Sequence, residues 1–338
     1  LEECLLKASD MIGWKEKGMR TVMPDGKIRA CGVAMAMQGS SISNCDVGSV
    51  TVKLSDEGTY HITVGCTDMG TGCDTIIAQF AADVLETPID NISVYGVDTD
   101  ISPYDSGSYA SSTTYLTGMA AVKACEQLRE RIIALAAVRM NKDASALTFD
   151  GENVIDESDG AKMSLFDIAT ASMCNNEISL EVTYSHSSPV SPPPFMAACA
   201  EIEADPETGA IELLDYTACV DCGTVVNTNL ARVQTEGGLL QGIGMTLYED
   251  IWYDERGKNL SNSFMQYKVP SRLDTDRIRV EFDSSYEPTG PFGAKSIGEI
   301  VINTPAPAIA DAVYNATGVW INELPITPEK ILKGMKVI

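Results

Sequence analysis

Four glycine-containing segments carry the residue types that could bind a polar cofactor or move a proton. They are residues 65–74 (GCTDMGTGCD), 106–114 (SGSYASSTT), 234–244 (QTEGGLLQGIG) and 290–299 (GPFGAKSIGE). Glycine adopts backbone conformations that other residues avoid, so such segments turn sharply and let a ligand approach the backbone closely. None of the four has the phosphate-loop pattern of ATPases or the dinucleotide pattern GxGxxG. An ordinary nucleotide site is therefore not predicted.

The segment 65–74 lies between a predicted strand that ends at Val64 and a predicted helix. The backbone N–H groups at a helix start, combined with a glycine turn, favour the binding of an anion such as phosphate. A plain tight turn uses glycine for the same conformational reason. Both interpretations stay open when this segment is considered alone.

The next two segments also have a functional and a structural interpretation. Residues 106–114 are rich in small hydroxyl side chains, which could hold a polar cofactor or cap the helix that follows. In residues 234–244, the glycines at 238, 242 and 244 open one face of a helix for close packing or for contact with a cofactor. Gln234 can both donate and accept hydrogen bonds to a heterocycle.

The fourth segment ends at Glu299, which lies between a glycine and the apolar stretch 300–313. A carboxylate in this position stabilises a helix start from the surface, or it acts as a partly desolvated general base. Burial raises the pKa of a carboxyl group toward the working pH, and proton abstraction needs such a pKa. Glu299 is the candidate catalytic residue, with the surface interpretation as its alternative.

The periodicity of apolar residues predicts the elements that position these segments. We predict strands at 50–54 and 60–64 around a turn at 56–58, a helix at 76–84 capped by Asp74 or Thr75, a strand at 92–95, a helix at 115–140, short elements at 148–155 and 178–184, strands at 198–204 and 211–220 around a turn at 205–209, and a helix at 229–247. A hairpin followed by a helix thus occurs twice, although no sequence repeat of fixed period is present. These elements predict an α+β fold, with two domains that each contain a small mixed sheet packed by helices.

Composition limits the classes of partner. The formal charge of −24 disfavours nucleic acid and anionic membrane surfaces, and no apolar stretch has the length of a spanning helix. We therefore expect a cytoplasmic protein with reduced cysteines, in which the lone pair Cys219 and Cys222 is not a zinc site. The proline-rich segment 187–194 predicts a boundary between domains at 1–188 and 189–338.

In this order, the four segments resemble the molybdopterin-binding subunit of the xanthine dehydrogenase and aldehyde oxidase family of molybdenum hydroxylases. The resemblance rests on TDMGTG, DTDISPYDSGSYASSTTYLTG, NTNLARVQTEGGLLQGIG and GPFGAKSIGE, the last followed by TPAPAIADAVYNATG. It implies a molybdopterin dinucleotide, in the cytosine form, whose dithiolene holds the molybdenum, so that no protein metal ligand is expected.

Carried over by motif, the resemblance also implies roles for individual residues. The implied cofactor-binding residues are Met69, Gly70, Thr71, Gly72, Ala110, Ser111, Ser112, Thr113 and Gln234, the last close to the metal. Glu299 matches the catalytic base of the family. Two departures from the family pattern affect the first segment: Thr71 replaces a frequent glutamine, and Cys66 and Cys73 are uncommon neighbours.

The implied reaction is hydroxylation of a small aromatic N-heterocycle with water as the oxygen source. The chain has no iron–sulfur, flavin or nicotinamide pattern, so iron–sulfur clusters and FAD are expected on partner subunits. Only the second half of the family's molybdenum subunit has a counterpart here, which implies a large molybdopterin subunit as a further partner.

Among divided enzymes of this type, a selenium-dependent hydroxylation of nicotinate to 6-hydroxynicotinate with NADP as final acceptor is favoured. A xanthine or other purine hydroxylase is the alternative. A noncatalytic assembly subunit is a third hypothesis, against which the intact GAKSIGE around Glu299 argues. A further hypothesis is that the chain is a soluble pterin carrier, and this function would need a complete cofactor pocket in this one chain.

Overall fold

The computed structural model describes residues 1–175, 179–275 and 277–338. The helices are α1 (Glu2–Ile12), α2 (Trp14–Lys17), α3 (Cys73–Leu85), α4 (Gly118–Met140), α5 (Leu165–Asn175), α6 (Thr228–Leu247), α7 (Pro305–Thr317) and α8 (Pro328–Gly334). The strands are β1 (Arg20–Val22), β2 (Ile28–Met37), β3 (Gly48–Leu54), β4 (Tyr60–Val64), β5 (Ile92–Tyr95), β6 (Leu147–Phe149), β7 (Asn153–Asp156), β8 (Lys162–Ser164), β9 (Glu181–His186), β10 (Phe195–Ala204), β11 (Ile211–Asp221) and β12 (Ile278–Asp283). The predicted mixed α+β fold is confirmed.

Two compact units divide the chain. Unit 1 contains residues 1–38, 193–285 and 297–338, and unit 2 contains residues 39–192 and 286–296. The chain enters unit 1 for the second time at Pro193, inside the proline-rich segment. Unit 1 therefore draws residues from both sides of position 188, and the division into 1–188 and 189–338 stays a prediction.

Unit 1 is built on a sheet with the strand order β1-β2-β10-β11-β12, in which β11 and β12 are parallel and the other pairs antiparallel. Because side chains alternate along a strand, β10 serves two cores. Met196 and Ala198 belong to the core that includes residues of α6 and α7, whereas Ala197 and Cys199 pack with residues of α1. The apolar run 195–200 of β10 follows from burial of both faces, and the two glutamates of the strand, Glu201 and Glu203, come after this run.

Unit 2 contains a sheet of order β5-β4-β3-β9 and a smaller antiparallel sheet of order β6-β7-β8. Alternating residues of the hairpin β3 and β4, such as Val52 and Ile62, are fully buried with the apolar faces of α3 and α4. Ile77 in α3 and Leu128 in α4 lie in this same core. The amphipathic pattern of hairpin and helices therefore builds the scaffold of unit 2.

The hairpin and helix order that recurs in the sequence becomes the same topology in both units. In unit 2 the hairpin β3 and β4 leads to α3 and then to β5, which pairs parallel with β4. In unit 1 the hairpin β10 and β11 leads to α6 and then to β12, which pairs parallel with β11. A fourth strand, β9 or β2, is antiparallel to the first hairpin strand in each case.

Most predicted boundaries agree with the structure, and two do not. Helix α3 begins at Cys73 with Gly72 as its N-cap in the left-handed conformation, so the predicted cap at Asp74 or Thr75 is wrong. Helix α4 begins at Gly118, because the preceding residues Thr113–Thr117 form a π-helical turn. The predicted element at 178–184 corresponds to β9, and Ile178 lies outside the described residues.

Among the described helices, none combines the length and apolar character that crossing a membrane requires.

Candidate functional site

The loop between β4 and α3 is organised by the side chain of Asp68. Its Oδ1 atom accepts hydrogen bonds from the backbone N–H groups of Gly70 at 2.9 Å and Gly72 at 3.1 Å. Burial raises the pKa of Asp68, but the backbone hydrogen bonds outweigh burial and leave the pKa lowered. Asp68 is therefore ionised, and two of the amides predicted to cradle an anion serve this carboxylate instead.

The same loop has an open side. A Cβ atom added at Gly70 would meet nothing within 4 Å, and Gly70 has a φ of +106°. The neighbouring Met69 side chain is 66% exposed. A ligand can thus approach the loop along Met69 and Gly70, while Asp68 holds its backbone in shape.

A second loop, residues 105–113, is held by Asp105. Its Oδ1 atom accepts from the N–H of Gly107 at 2.8 Å, and its Oδ2 atom accepts from Thr117 Oγ1 at 3.0 Å. Ala110 and Ser111 have φ values of +50° and +57°, which are rarely adopted by residues with a side chain. Such strain and the π-helical turn that follows are features that cluster at ligand-binding sites.

The two loops are direct neighbours in unit 2. Ser108 Oγ donates to the carbonyl of Thr67 at 3.4 Å, and a Cβ at Gly65 would lie 2.4 Å from Asp105 Cβ and 2.5 Å from the carbonyl of Pro103. Only glycine fits at this contact. The structure therefore brings together the segments of Met69 to Gly72 and of Ala110 to Thr113.

Part of the fourth segment also belongs to unit 2. The Phe292 ring stacks on Phe80 with centroids 5.9 Å apart, and the N–H of Ser296 donates to Ser40 Oγ at 3.1 Å. Tyr115 Oη, which is buried, lies 2.8 Å from Thr289 Oγ1. These contacts fix residues 289–296 to the scaffold of unit 2.

Glu299 lies in unit 1 and is exposed in this chain. Its Oε2 atom accepts a hydrogen bond from Gln38 Nε2 at 2.9 Å, and Gln38 Oε1 accepts from Asn303 Nδ2 at 3.1 Å. Glu299 precedes the short 3-10 turn Ile300–Ile302, whereas α7 begins only at Pro305. The carboxylate is therefore not in the first turn of α7, which differs from the helix-start interpretation.

Gln234 lies in unit 1, as Glu299 does, and contacts the residue that precedes Glu299. Its Nε2 atom donates to the carbonyl of Gly298 at 2.9 Å, so it holds the peptide that precedes Glu299. The residue is partly exposed and keeps further hydrogen-bonding capacity, since an amide side chain has two N–H groups and an acceptor oxygen.

The glycine face of α6 provides close packing. A Cβ at Gly238 would lie 2.2 Å from Val301 Cγ2, and a Cβ at Gly242 would lie 2.6 Å from Pro305 Cγ. The packing interpretation of these glycines is confirmed. Because these glycines let the turn Ile300–Ile302 pack closely on α6, this face of α6 helps to position the Glu299 carboxylate.

Sequence reasoning did not single out Asp105, Gln38 or Asn303. Asp105 lies directly before the serine-rich segment, so an acidic residue at a loop start was an available signal. Gln38 follows β2 and meets Glu299 only through the fold, which no local pattern reveals.

The cysteines whose side chains the structure describes, Cys4, Cys31, Cys45, Cys66, Cys73, Cys125, Cys199, Cys219 and Cys222, are free thiols, and of these all except Cys45 are buried. A hydrogen bond to Cys73, together with burial, raises the pKa of the Cys66 thiol, so this thiol is protonated. Ligand atoms of Asp68, Cys73 and Asp74 lie within 4.8 Å of one another. Asp68 is already engaged by backbone N–H groups, so the grouping carries no assignment as a metal site.

Comparison with known proteins identifies the family. Residues 7–276 match the family described as the molybdopterin cofactor-binding domain. The chain belongs to this family. The match covers most of both units, including the loops at Met69, Ser111 and Gln234, and it confirms the resemblance found in the sequence.

Three relatives show the range of proteins involved. Over its whole length, the chain is 37% identical to a protein of Escherichia coli K12 named "Probable hypoxanthine oxidase", and the match covers 35% of that protein. The chain is also 31% identical to the 6-hydroxypseudooxynicotine dehydrogenase complex subunit gamma of Paenarthrobacter nicotinovorans. That match covers 96% of this chain and 42% of the relative. The crystal structure of quinoline 2-oxidoreductase from Pseudomonas putida 86 superposes with a TM-score of 0.84 at 25% identity, covering 98% of this chain and 43% of that one. The chain thus spans less than half the length of these relatives.

The residues of the site fit a pterin cofactor. Gly70 offers an open approach to the backbone, and the strained segment at Ala110 and Ser111 carries hydroxyl and amide groups beside it. Such groups suit the polar heterocycle and the phosphates of a dinucleotide. A metal that is held by the cofactor itself needs no ligands from these two loops.

Proposed function

We propose that this chain supplies cofactor-binding loops and the general base of a molybdenum hydroxylase that acts on an aromatic N-heterocycle. The observation that carries the proposal is the carboxylate of Glu299, exposed in this chain and held by Gln38, in a member of the molybdopterin cofactor-binding family.

We propose a cofactor-binding role for individual residues in both units. Met69, Gly70, Thr71 and Gly72 would hold the pterin dinucleotide together with Ala110, Ser111, Ser112, Thr113 and Gln234. We take the dinucleotide to be the cytosine form. When bound, the cofactor supplies the two-electron oxidation of the substrate through its molybdenum, with sulfur or selenium as a terminal ligand.

The protein's own part in the reaction is proton transfer. Glu299 accepts a proton on its carboxylate, and the N–H of Gln38 donates a hydrogen bond to Oε2 that holds the carboxylate in position before that step. Because Glu299 is exposed in this chain, the desolvation that strengthens a base has to come from the rest of the enzyme. We propose that a large molybdopterin subunit provides this cover.

We propose that the substrate is nicotinate, which is hydroxylated at carbon 6. The electrons would pass through iron–sulfur clusters and FAD on partner subunits to NADP. Two relatives carry the names of N-heterocycles, quinoline and hypoxanthine, which supports this class of substrate. The second of these names also favours a purine hydroxylase, which is the second candidate. Cytoplasmic location stays a prediction.

The experiment is turnover of nicotinate and of hypoxanthine by the native enzyme that contains this chain, in water labelled with oxygen-18. The proposal expects label in 6-hydroxynicotinate and reduction of NADP. Label in an oxidised purine would instead assign the second candidate. If neither N-heterocycle is hydroxylated while an aldehyde is oxidised, the substrate class is wrong.

Replacement of Asp105 by alanine tests the cofactor loops. Loss of the hydrogen bonds that a carboxyl side chain accepts destabilises a structure by about 1–3 kcal/mol, here in the loop that contains Ala110 and Ser111. We therefore expect Asp105→Ala to lower the molybdenum and pterin content of the purified enzyme. Asp56→Ala, at an exposed hairpin turn of unit 2, serves as the control. Equal cofactor content in both variants would contradict the assigned role of this loop.

A further inference from the structure

A short chain of amide hydrogen bonds ends on the Glu299 carboxylate. Asn303 Nδ2 donates to Gln38 Oε1 at 3.1 Å, and Gln38 Nε2 donates to Glu299 Oε2 at 2.9 Å. The three residues come from the end of β2 and from both sides of the 3-10 turn Ile300–Ile302, and all belong to unit 1. The arrangement is therefore part of one compact unit.

The direction of these bonds matters chemically. The two ends of a glutamine amide have nearly the same shape, but only the nitrogen end can donate a hydrogen bond. An oxygen turned toward an ionised carboxylate would be repelled. Because Asn303 presents an N–H to the oxygen end of Gln38, the nitrogen end is directed to Glu299.

The backbone of Glu299 is held in addition to its side chain. Gln234 Nε2 donates to the carbonyl of Gly298 at 2.9 Å, and Val301 packs against the glycine face of α6 at Gly238. With the backbone fixed, the remaining freedom of Glu299 is rotation of its side chain. The hydrogen bond from Gln38 Nε2 to Glu299 Oε2 limits this rotation.

We propose that Gln38 and Asn303 form a positioning relay for the general base, in which Asn303 orients the amide of Gln38 and Gln38 holds the Glu299 carboxylate. The inference rests on the proposed function, because it assigns a purpose only if Glu299 is the base. Neither residue touches the reacting atoms in this assignment. The relay acts on the rate of the chemical step through Glu299 and leaves substrate binding to other residues.

The test uses the native enzyme with Gln38→Met, Asn303→Ala and the double variant, at equal molybdenum content. Methionine keeps the length of glutamine and removes its donor. Loss of position of a catalytic group lowers rates by roughly 10- to 100-fold, so we expect kcat of Gln38→Met to fall by that factor with KM unchanged. Gln127→Met, at a half-buried glutamine of α4 in unit 2, is the matched control and keeps the wild-type kcat.

The double variant decides whether Asn303 acts through Gln38. If it does, the single variant Asn303→Ala lowers kcat, but adding Asn303→Ala to Gln38→Met causes no further loss of kcat. Independent losses that multiply would overturn the relay. Asn303 is exposed, so Asn303→Ala keeps the proposal testable should Gln38→Met fail to assemble.

Two further measurements separate the relay from the proposed function. In a crystal structure of Gln38→Met, loaded with cofactor or not, we expect the Glu299 side chain to leave its wild-type position, and an unchanged side chain would overturn the relay. If Glu299→Gln keeps full turnover, the proposed function fails. If Glu299→Gln loses turnover while Gln38→Met keeps it, the relay alone fails.

Discussion

Replacement of Glu299 by glutamine is expected to lower kcat by about 10²–10⁴-fold, the range typical of a lost general base. Glutamine has nearly the same shape and can still meet Gln38, but it cannot accept a proton at neutral pH. The molybdenum and pterin content should remain at the wild-type level, because Glu299 is not among the residues that we propose to hold the cofactor. Steady-state turnover at equal molybdenum content measures the effect.

A matched control is Glu281→Gln on strand β12, where an exposed glutamate of the same unit has no assigned role. This variant should retain wild-type turnover. If Glu299→Gln and Glu281→Gln behave alike, Glu299 is not the base, and the chain holds cofactor without contributing to the proton transfer.

The second large effect is expected from Gly32→Ala in the centre of β2. A Cβ at this position would lie 2.2 Å from the carbonyl oxygen of Ala308 and 2.2 Å from the backbone nitrogen of Ala312. Both atoms belong to the backbone of α7, so no side chain can move aside. Overpacking of a core costs about 1–3 kcal/mol when side chains adjust, and we expect a larger loss of unfolding free energy here. The measurement is the yield and thermal unfolding temperature of the enzyme.

Gly237→Ala in α6 is the corresponding control. A Cβ at Gly237 would meet nothing within 4 Å, and the residue lies inside a helix. Alanine in a helix is more favourable than glycine by about 1 kcal/mol, so thermal stability should be unchanged or slightly higher. A loss in Gly237→Ala equal to that in Gly32→Ala would contradict the close packing of β2 on α7.

Local sequence pattern predicted the elements of the fold where burial dictates the pattern. The alternation of Val50, Val52 and Leu54 with polar residues matches a strand whose one face enters the core. The start of α3 was predicted at the wrong residue, because Gly72 takes the N-cap in a left-handed conformation rather than through a capping side chain. Such a start depends on the whole loop, which Asp68 organises.

The repeated topology shows what patterns alone leave open. Two hairpin and helix segments are visible in the sequence, but nothing local indicates that β5 and β12 pair parallel with the second hairpin strand. The addition of β9 in unit 2 and β2 in unit 1 at the opposite edge depends on contacts distant in the chain. Tertiary packing therefore completes each sheet.

The candidate site was predictable in its motifs and not in its hydrogen bonds. The glycine and hydroxyl segments at 65–74 and 106–114 allowed a cofactor-binding interpretation beside a structural one, and the fold places the two loops side by side. The expected anion cradle was changed by Asp68, whose carboxylate takes the N–H groups of Gly70 and Gly72. The contact of Gln38 with Glu299 joins residues more than 250 positions apart, so no local pattern could reveal it.

We propose that this chain belongs to an enzyme that carries molybdenum on a pterin dinucleotide. The most direct test is the metal and pterin content of the native enzyme isolated through this chain. We predict molybdenum and a cytosine-containing pterin dinucleotide in stoichiometric amounts with the chain, with the content lowered by Asp105→Ala and maintained by Glu299→Gln. An intact, assembled enzyme that contains neither molybdenum nor pterin would contradict the account.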